Sequence, residues 1–365
     1  MKNLCKVISQ KNAMPIMANI LCTVDEDGKR LTMTGSDTEI WLTYAITLDV
    51  CEGGGTFCVG ANMIKDALAG LRDQSLTILA TLESGRTLHL QHETGETVLP
   101  LEDSGEYPLS PSVEATATVW ELDSDMLRRV LRRSLFATAE DELRPQMNGV
   151  YFDQLEGMLN IVASDGHVLI LNTEKVVNTI GSFNMQKKAA KLLPDLLEGV
   201  VGNVRLMFDS RQVSCTCGTV SLVFRVIEGR FPNYNSVIPK VLPYKVMADR
   251  QAMLAALRNV SHFANFSSHM IVLDIIGQEM MIVGEDYDFS TKAHDRLRVE
   301  YPDGKNIRIG VKSDNIIDIL SRLVETDVYL NLADPSRAMT VTPVEPVVKD
   351  EEITMLLMPM LLDNN

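Results

Sequence analysis

Three stretches of this 365-residue chain end in the same way. They read Leu31-Thr-Met33-Thr-Gly35-Ser36-Asp37, Leu159-Asn-Ile161-Val-Ala163-Ser164-Asp165 and Met280-Met-Ile282-Val-Gly284-Glu285-Asp286. Apolar residues stand six and four positions before each Asp, and a small residue stands two before it. Apolar alternation predicts a half-buried strand, and the small residue plus Asp predicts a turn. The aspartates lie 128 and 121 residues apart. A period of that length means that one fold unit is used three times.

Other landmarks keep the period. An apolar strand precedes each Asp: Ile20 to Val24, Val150 to Phe152, and Met270 to Leu273. A helix-like segment with a Leu pair follows it: Leu68/Leu71, Leu193/Leu196 and Leu320/Leu323. Each unit closes on an apolar residue and Pro: Tyr107-Pro108, Phe231-Pro232 and Met358-Pro359. The expected domains are residues 1–116, 117–243 and 244–365, with linkers near Pro108–Pro111 and Pro239–Pro243. Each is expected to hold two helices and about eight short strands, an α+β class in which strands dominate. In units two and three a first strand begins 46 and 40 residues before the Asp. The same offsets from Asp37 fall before Met1, so the given sequence lacks that strand: either the true start lies upstream or unit one has an exposed edge.

The first helix of the middle unit carries the strongest charge pattern. Asp123-Ser124 are good N-cap residues. Beyond them Met126, Leu127, Val130, Leu131 and Leu135 share one face, and Arg128, Arg129, Arg132 and Arg133 share the other. That basic face suggests contact with a polyanion or a solvated, acid-paired surface. The corresponding helix of unit three, Gln251 to Phe263, buries Met253, Leu257 and Val260 and shows Arg258. The second helix of unit two adds Lys187, Lys188 and Lys191. Against this stands a net charge of −15, which excludes a generally basic nucleic-acid binder. Aromatic residues are 5% of the chain and do not interleave with the basic ones, so base stacking is not expected.

Other chemistries leave no trace. No P-loop, G-x-G-x-x-G, G-x-S-x-G or H-E-x-x-H occurs. Six Cys without a Cys-x-x-Cys pair and six scattered His give no metal site, so no metal and no cofactor are expected. The first residues have no long apolar run and no stretch suits a transmembrane helix, so a cytoplasmic protein without membrane contact is expected.

Specific motifs resemble the bacterial sliding clamp, the beta subunit of the replicative DNA polymerase. They are Met14-Pro15-Ile16-Met17-Ala18-Asn19-Ile20-Leu21, Met147-Asn148-Gly149-Val150, Ser164-Asp165-Gly166-His167-Val168-Leu169, Gly229-Arg230-Phe231-Pro232-Asn233-Tyr234 and Leu357-Met358-Pro359-Met360-Leu361-Leu362. The resemblance runs in order over essentially the whole chain. It implies two helices packed on curved antiparallel sheets in each domain. It also implies a homodimeric ring, closed head to tail, that encircles duplex DNA and tethers the polymerase without covalent chemistry. Clamp loader and repair proteins are further implied partners, each docking a short linear motif.

By this resemblance the docking pocket uses Met147, Ser164, Gly166, His167, Val168 and Leu169. Pro232, Ser236, Val237 and Ala338 join it, as do Met358, Pro359, Met360 and Leu362. The implied DNA contacts are Lys11, Arg128, Arg129, Arg132, Arg133, Lys187, Lys188, Lys191 and Arg258. The implied dimer contact brings Tyr107 and Leu109 to the region of Phe263. Two positions depart from the family, which commonly has basic residues where this chain has Val168 and Ser236. Partner preference is expected to differ accordingly. A scaffold outside replication and an enzyme built on Ser164 and His167 are the competing readings; the second lacks an orienting third group.

Overall fold

The computed structural model describes all residues except 10–13, 84, 115, 177–178, 303–304 and 363–365. Lys11, an expected DNA contact, lies outside the described residues.

Elements follow one order three times. Residues 1–116 give α1 (Lys2–Val7), β1 (Asn19–Asp25), β2 (Arg30–Ser36), β3 (Ile40–Thr47), β4 (Gly55–Gly60), α2 (Ala61–Ala69), β5 (Thr77–Thr81), β6 (Thr87–His92) and β7 (Gly95–Glu102). Residues 117–243 give β8 (Thr118–Asp123), α3 (Ser124–Ser134), β9 (Gly149–Leu155), β10 (Met158–Ser164), β11 (Val168–Lys175), β12 (Gly181–Gln186), α4 (Lys187–Leu196), β13 (Asn203–Phe208), β14 (Gln212–Cys217) and β15 (Val220–Arg225). The rest gives β16 (Tyr244–Asp249), α5 (Arg250–Ser261), β17 (Met270–Ile276), β18 (Glu279–Asp286), β19 (Thr291–Arg298), β20 (Ile307–Lys312), α6 (Ser313–Arg322), β21 (Asp327–Leu332), β22 (Met339–Pro343) and β23 (Glu351–Leu357). The first stretch thus opens on a helix among the described residues, where the other two open on a strand. The Leu pairs mark α2, α4 and α6, but Leu71 and Leu323 fall just past their helix ends.

The repeated Asp has one structural job. Asp37 Oδ1 accepts from the amides of Glu39 and Ile40 at 3.0 and 2.8 Å. Asp165 Oδ1 accepts from His167 and Val168 at 2.7 and 2.8 Å. Asp286 Oδ1 accepts from Asp288 and Phe289 at 2.9 and 3.2 Å. Each carboxylate satisfies backbone donors that a tight turn leaves unpaired. The small residue two positions earlier has its own cause. A Cβ on Gly284 would sit 2.8 Å from the Val260 carbonyl oxygen of α5, and one on Gly35 would sit 3.3 Å from the Leu4 carbonyl oxygen of α1. The strand therefore stays small where a helix backbone crosses it.

The chain forms two compact units, one of residues 1–128 with 188–226 and one of residues 129–187 with 227–365. The first holds an antiparallel sheet in the order β5-β6-β7-β4-β1-β2-β3-β15-β14-β13-β8. Within it β3 meets β15, from Ile40 opposite Phe224 to Tyr44 opposite Val220. The second holds a sheet in the order β12-β9-β10-β11-β23-β22-β21-β16 and a four-stranded sheet β19-β18-β17-β20. Within it β11 meets β23, from Val168 opposite Leu357 to Glu174 opposite Glu351. In both seams a strand that follows the Asp turn in one repeat pairs with the last strand of the next repeat.

Candidate partner pocket and basic helix faces

The pocket grows from the second seam. Gly166 follows the Asp165 turn at φ +94°, a conformation that suits glycine. The Ser164 hydroxyl donates to the Val168 carbonyl at 2.8 Å and accepts from the Gly166 amide at 3.2 Å. Its proton goes to that carbonyl and braces the turn, rather than to His167 as a base. The Met358 amide donates to the His167 carbonyl at 2.9 Å, which lays the Met358–Met360 segment beside the turn. The Met360 amide then donates to the Gly310 carbonyl at 2.8 Å. A Cβ on Gly310 would lie 2.8 Å from Leu362 Cδ2, so that glycine leaves room for the closing residues.

Beneath the turn Val162, Leu169, Phe231, Tyr234, Ala338 and Leu356 form one apolar cluster. Tyr151 stacks on Phe231 with ring centroids 4.8 Å apart. The Tyr234 hydroxyl donates to Asp153 at 2.8 Å. Burial, then Asp153, push the Tyr234 phenol well above its ordinary range, so it stays a neutral donor. Sequence reasoning missed Tyr151, Asp153 and Tyr234. Period-2 apolar alternation could have placed Tyr151 and Asp153 on one face of β9, but not against a loop eighty residues away.

The expected pocket residues separate into floor and rim. Met147, Val168, Leu169 and Ala338 are buried, so they shape the floor. Gly166, His167, Pro232, Ser236, Val237 and Met358 are exposed, while Ser164, Pro359, Met360 and Leu362 are half-buried. Ser236 and Val237 also line an adjoining cavity of about 590 Å³ with Asn233, Asn235, Ile238 and Lys240. An apolar floor under an exposed rim of Met, Val and His suits a peptide with apolar anchors.

The basic face of α3 is not uniform, and two expectations need correction. Arg133 is buried at 4% exposure. Its Nη1 donates to Glu351 at 2.9 Å and to Asn172 at 3.0 Å, so it is not available to a phosphate. Arg129 is half-buried and bridges Glu351 at 3.2 Å and Glu174 at 3.5 Å. The cause is that β11 and β23 bring two acids under the helix. Burial, then the neighbouring Glu351 charge, push the Glu174 carboxyl up to about 7. Burial also acts to raise Glu351, but Arg133 and Arg129 outweigh it and hold that carboxyl below its ordinary range.

Arg128 pairs with Asp125 at 2.6 Å, and Arg132 is exposed. Lys187 pairs with Glu140 at 2.8 Å. Lys188 bonds Asp37 and the Val7 carbonyl and is drawn into local structure. Lys191 is exposed, as is Arg258, whose Nη2 donates to Ser321 at 3.3 Å. Exposed pairs of this kind contribute ~0–1 kcal/mol, so a phosphate can replace the carboxylate.

The expected interface residues also divide. Leu109 and Phe263 are exposed at 83% and 44%. Tyr107 is corrected: at 5% exposure it belongs to a core cluster with Ile16, Met17 and Cys58, and its hydroxyl donates to the Thr34 carbonyl at 3.3 Å. Among the described residues no group of acidic, His and Cys side chains could hold a metal ion. Among them too, no helix is long and apolar enough to cross a membrane.

Comparison with known proteins agrees with the repeat. Sequence profiles described as the N-terminal, central and C-terminal domains of the DNA polymerase III beta subunit match residues 1–111, 121–233 and 235–361. The beta sliding clamp of Haemophilus influenzae is 25% identical over 364 residues, covering 99% of this chain and 96% of that one. The beta sliding clamp of Synechococcus elongatus is 25% identical, covering 95% and 92%. A solved DNA polymerase sliding clamp of Pseudomonas aeruginosa superposes with a TM-score of 0.91 at 23% identity, covering 99% of this chain and 96% of that one. A DNA polymerase III beta subunit of Thermotoga maritima gives 0.89 at 23% identity, covering 99% and 95%. With three successive domain profiles matched in order along a chain built on one repeated fold, this protein belongs to the DNA polymerase III beta subunit family, the non-catalytic sliding clamps.

Proposed function

We propose that two copies of this chain close head to tail into a ring that encircles duplex DNA and tethers a replicative polymerase. The observation that carries this is the seam. The same strand pairing joins successive repeats twice, as β3 with β15 and as β11 with β23. The pattern leaves β19 at one end of the chain and β7 at the other. β19 is an edge strand, and β7 meets β4 only at Leu101 and Glu102. Their charges complement: Lys292, Arg296 and Arg298 on β19, Glu96 and Glu102 on β7. Exposed Tyr287 and Phe289 supply apolar area just ahead of β19, and exposed Phe263 and Phe266 follow α5, which packs against β19.

In this reading the domains are residues 1–116, 117–243 and 244–365. Arg128, Arg132, Lys187, Lys191 and Arg258 offer phosphate contacts that carry no sequence information. The floor and rim around His167 and Met358 receive linear motifs of polymerase, clamp loader and repair proteins. Six free thiols fit the reducing cytoplasm.

The test is retention on DNA. The protein should run at twice its 40.5 kDa chain mass, stay on closed circular duplex at moderate salt and leave once the circle is cut. Equal loss from closed and cut circles would overturn enclosure.

A further inference from the structure

Arg129 and Arg133 sit one turn apart on α3, yet the acids beneath them treat them differently. Glu174 and Glu351 stand directly opposite each other in the β11–β23 ladder, so both project toward the helix. Arg133 is buried, and its Nη1 is taken up by Glu351 and Asn172. The Arg129 side chain keeps 29% of its surface open. Its Nε donates to Glu351 Oε1 at 3.2 Å, an oxygen that already accepts from Arg133. Its Nη2 reaches only Glu174 Oε1, at 3.5 Å. The outer end of Arg129 is therefore held inward by Glu174.

That hold depends on one proton. Two buried carboxyls side by side resist joint ionisation. With Glu174 ionised, two cations face two anions, and Nη2 has a charge-assisted partner. With Glu174 protonated, Glu351 alone serves both arginines, and Nη2 has no anion. The charged groups facing Glu174 are Arg129 and Arg133 from α3 and Glu351 from β23; β10 sets Leu159 opposite it on the other side. Lys175 and Glu352 alternate onto the other face of their strands. Of the charged side chains on α6, which borders β23, Asp314 pairs with His269, Asp318 is exposed and Arg322 lies over Phe136.

The last repeat shows the plain version. Counted from Asp249 and Asp286, it has Ala255, Asn259 and Asp295 where the middle repeat has Arg129, Arg133 and Glu174. There Asn259 donates to Asp295 at 3.4 Å, a neutral donor on a single acid with no cation to release.

We propose that Arg129 is a conditional DNA contact: its guanidinium meets a backbone phosphate when Glu174 holds a proton and is withheld when Glu174 ionises. This rests on the reading that α3 faces duplex DNA. Linkage is reciprocal, so DNA binding draws a proton from solvent onto Glu174. Burial and Glu351 place the Glu174 carboxyl at about 7. The protonated form prevails below that value, so DNA affinity rises on acidification and falls as pH rises through it.

The test is binding of a short fluorescein-labelled duplex by the full chain at low salt, at pH 6, 7 and 8. A group titrating near 7 goes from about nine-tenths to about one-tenth protonated over that range, so affinity should fall up to about tenfold per chain. Glu174→Gln is neutral throughout and should lose this fall; drift from histidines is common to both proteins and cancels in the comparison. Arg129→Gln should flatten the slope of log K against log salt by up to ~0.9 at pH 6 and leave it as in the parent at pH 8. Calorimetry in two buffers of different ionisation enthalpy reads proton uptake on the unaltered chain, so the outcome does not depend on either variant folding. A pH profile that Glu174→Gln shares with the parent overturns the proposal. So does a parental salt slope for Arg129→Gln at pH 6, or DNA binding without proton uptake between pH 7 and 8. Retention on closed and cut circles is read at each pH: equal loss from both overturns the ring, whereas duplex affinity that is level with pH overturns the switch.

Discussion

Arg133 Nη1 lies 2.9 Å from Glu351 Oε1, joining α3 of the middle repeat to β23 of the last across 218 residues of sequence. The pair is buried at 4% and 1% side-chain exposure. Asn172 accepts from the same nitrogen, and its amide donates to Ser134 at 3.0 Å. Removing one partner leaves the other charge buried without compensation. Arg133→Ala should destabilise the unit by ~3–5 kcal/mol. Urea unfolding should show this as a lower midpoint with an unchanged slope.

Glu174 gives the same cluster a pH dependence. Its carboxyl is raised to about 7 in the fold from an ordinary 4.5. A raised carboxyl stabilises fully below its unfolded value, and that contribution is lost as pH rises through the folded one. Between about pH 4.5 and 7 this group therefore costs stability progressively as it ionises. Glu351 acts oppositely: its lowered carboxyl contributes above its unfolded value and loses that contribution on acidification. Glu174→Gln should raise the melting temperature relative to the parent at pH 8 and leave it nearly unchanged at pH 4.5. Melting curves across that range check the sign.

The basic face divides by burial, and the salt dependence of DNA binding reads that division. Each exposed cation that meets a phosphate contributes ~0.9 to the slope of log K against log salt. Arg132→Ala and Lys191→Ala should each flatten the slope by up to that amount. Arg133→Gln, corrected for any unfolded fraction, should leave it unchanged.

Met358 stands on the exposed rim of the proposed docking pocket at 42% exposure. Met358→Ala should weaken an apolar motif peptide about tenfold, in keeping with ~1–2 kcal/mol for lost side-chain burial. Fluorescence anisotropy at fixed salt measures it. Ser164→Ala should act differently, since the hydroxyl braces the turn; it should lower thermal stability by ~1 kcal/mol as well.

Reversing the charge of β19 tests the proposed ring seam. Lys292→Glu with Arg296→Glu should weaken self-association at least tenfold, and reversal of Glu96 on β7 should recover part of it. Sedimentation at several concentrations separates dimer loss from unfolding.

The repeat, the α+β class and the apolar faces of α3 and α5 were legible in the sequence because they obey local periods. Met126, Leu127, Val130 and Leu131 are buried as the helical spacing predicts. The fate of the arginines was not legible. A helical wheel cannot know that Glu351 arrives beside Glu174 through a seam more than two hundred residues later. Tyr107 was not legible either. It shares a column with Phe231, 6% exposed, and with Met358, 42% exposed, so the repeat alone did not decide between a core position and the interface that the resemblance suggested.

The two seams within the chain are ladders whose strands are also joined covalently, so either can break and re-form without its partners diffusing apart. A ladder of β7 and β19 has no such tether. In the proposed ring it is the place where strand ends separate into bulk solution. A protein that must admit DNA without being cut has its gate fixed by chain connectivity, whatever the relative strength of the ladders.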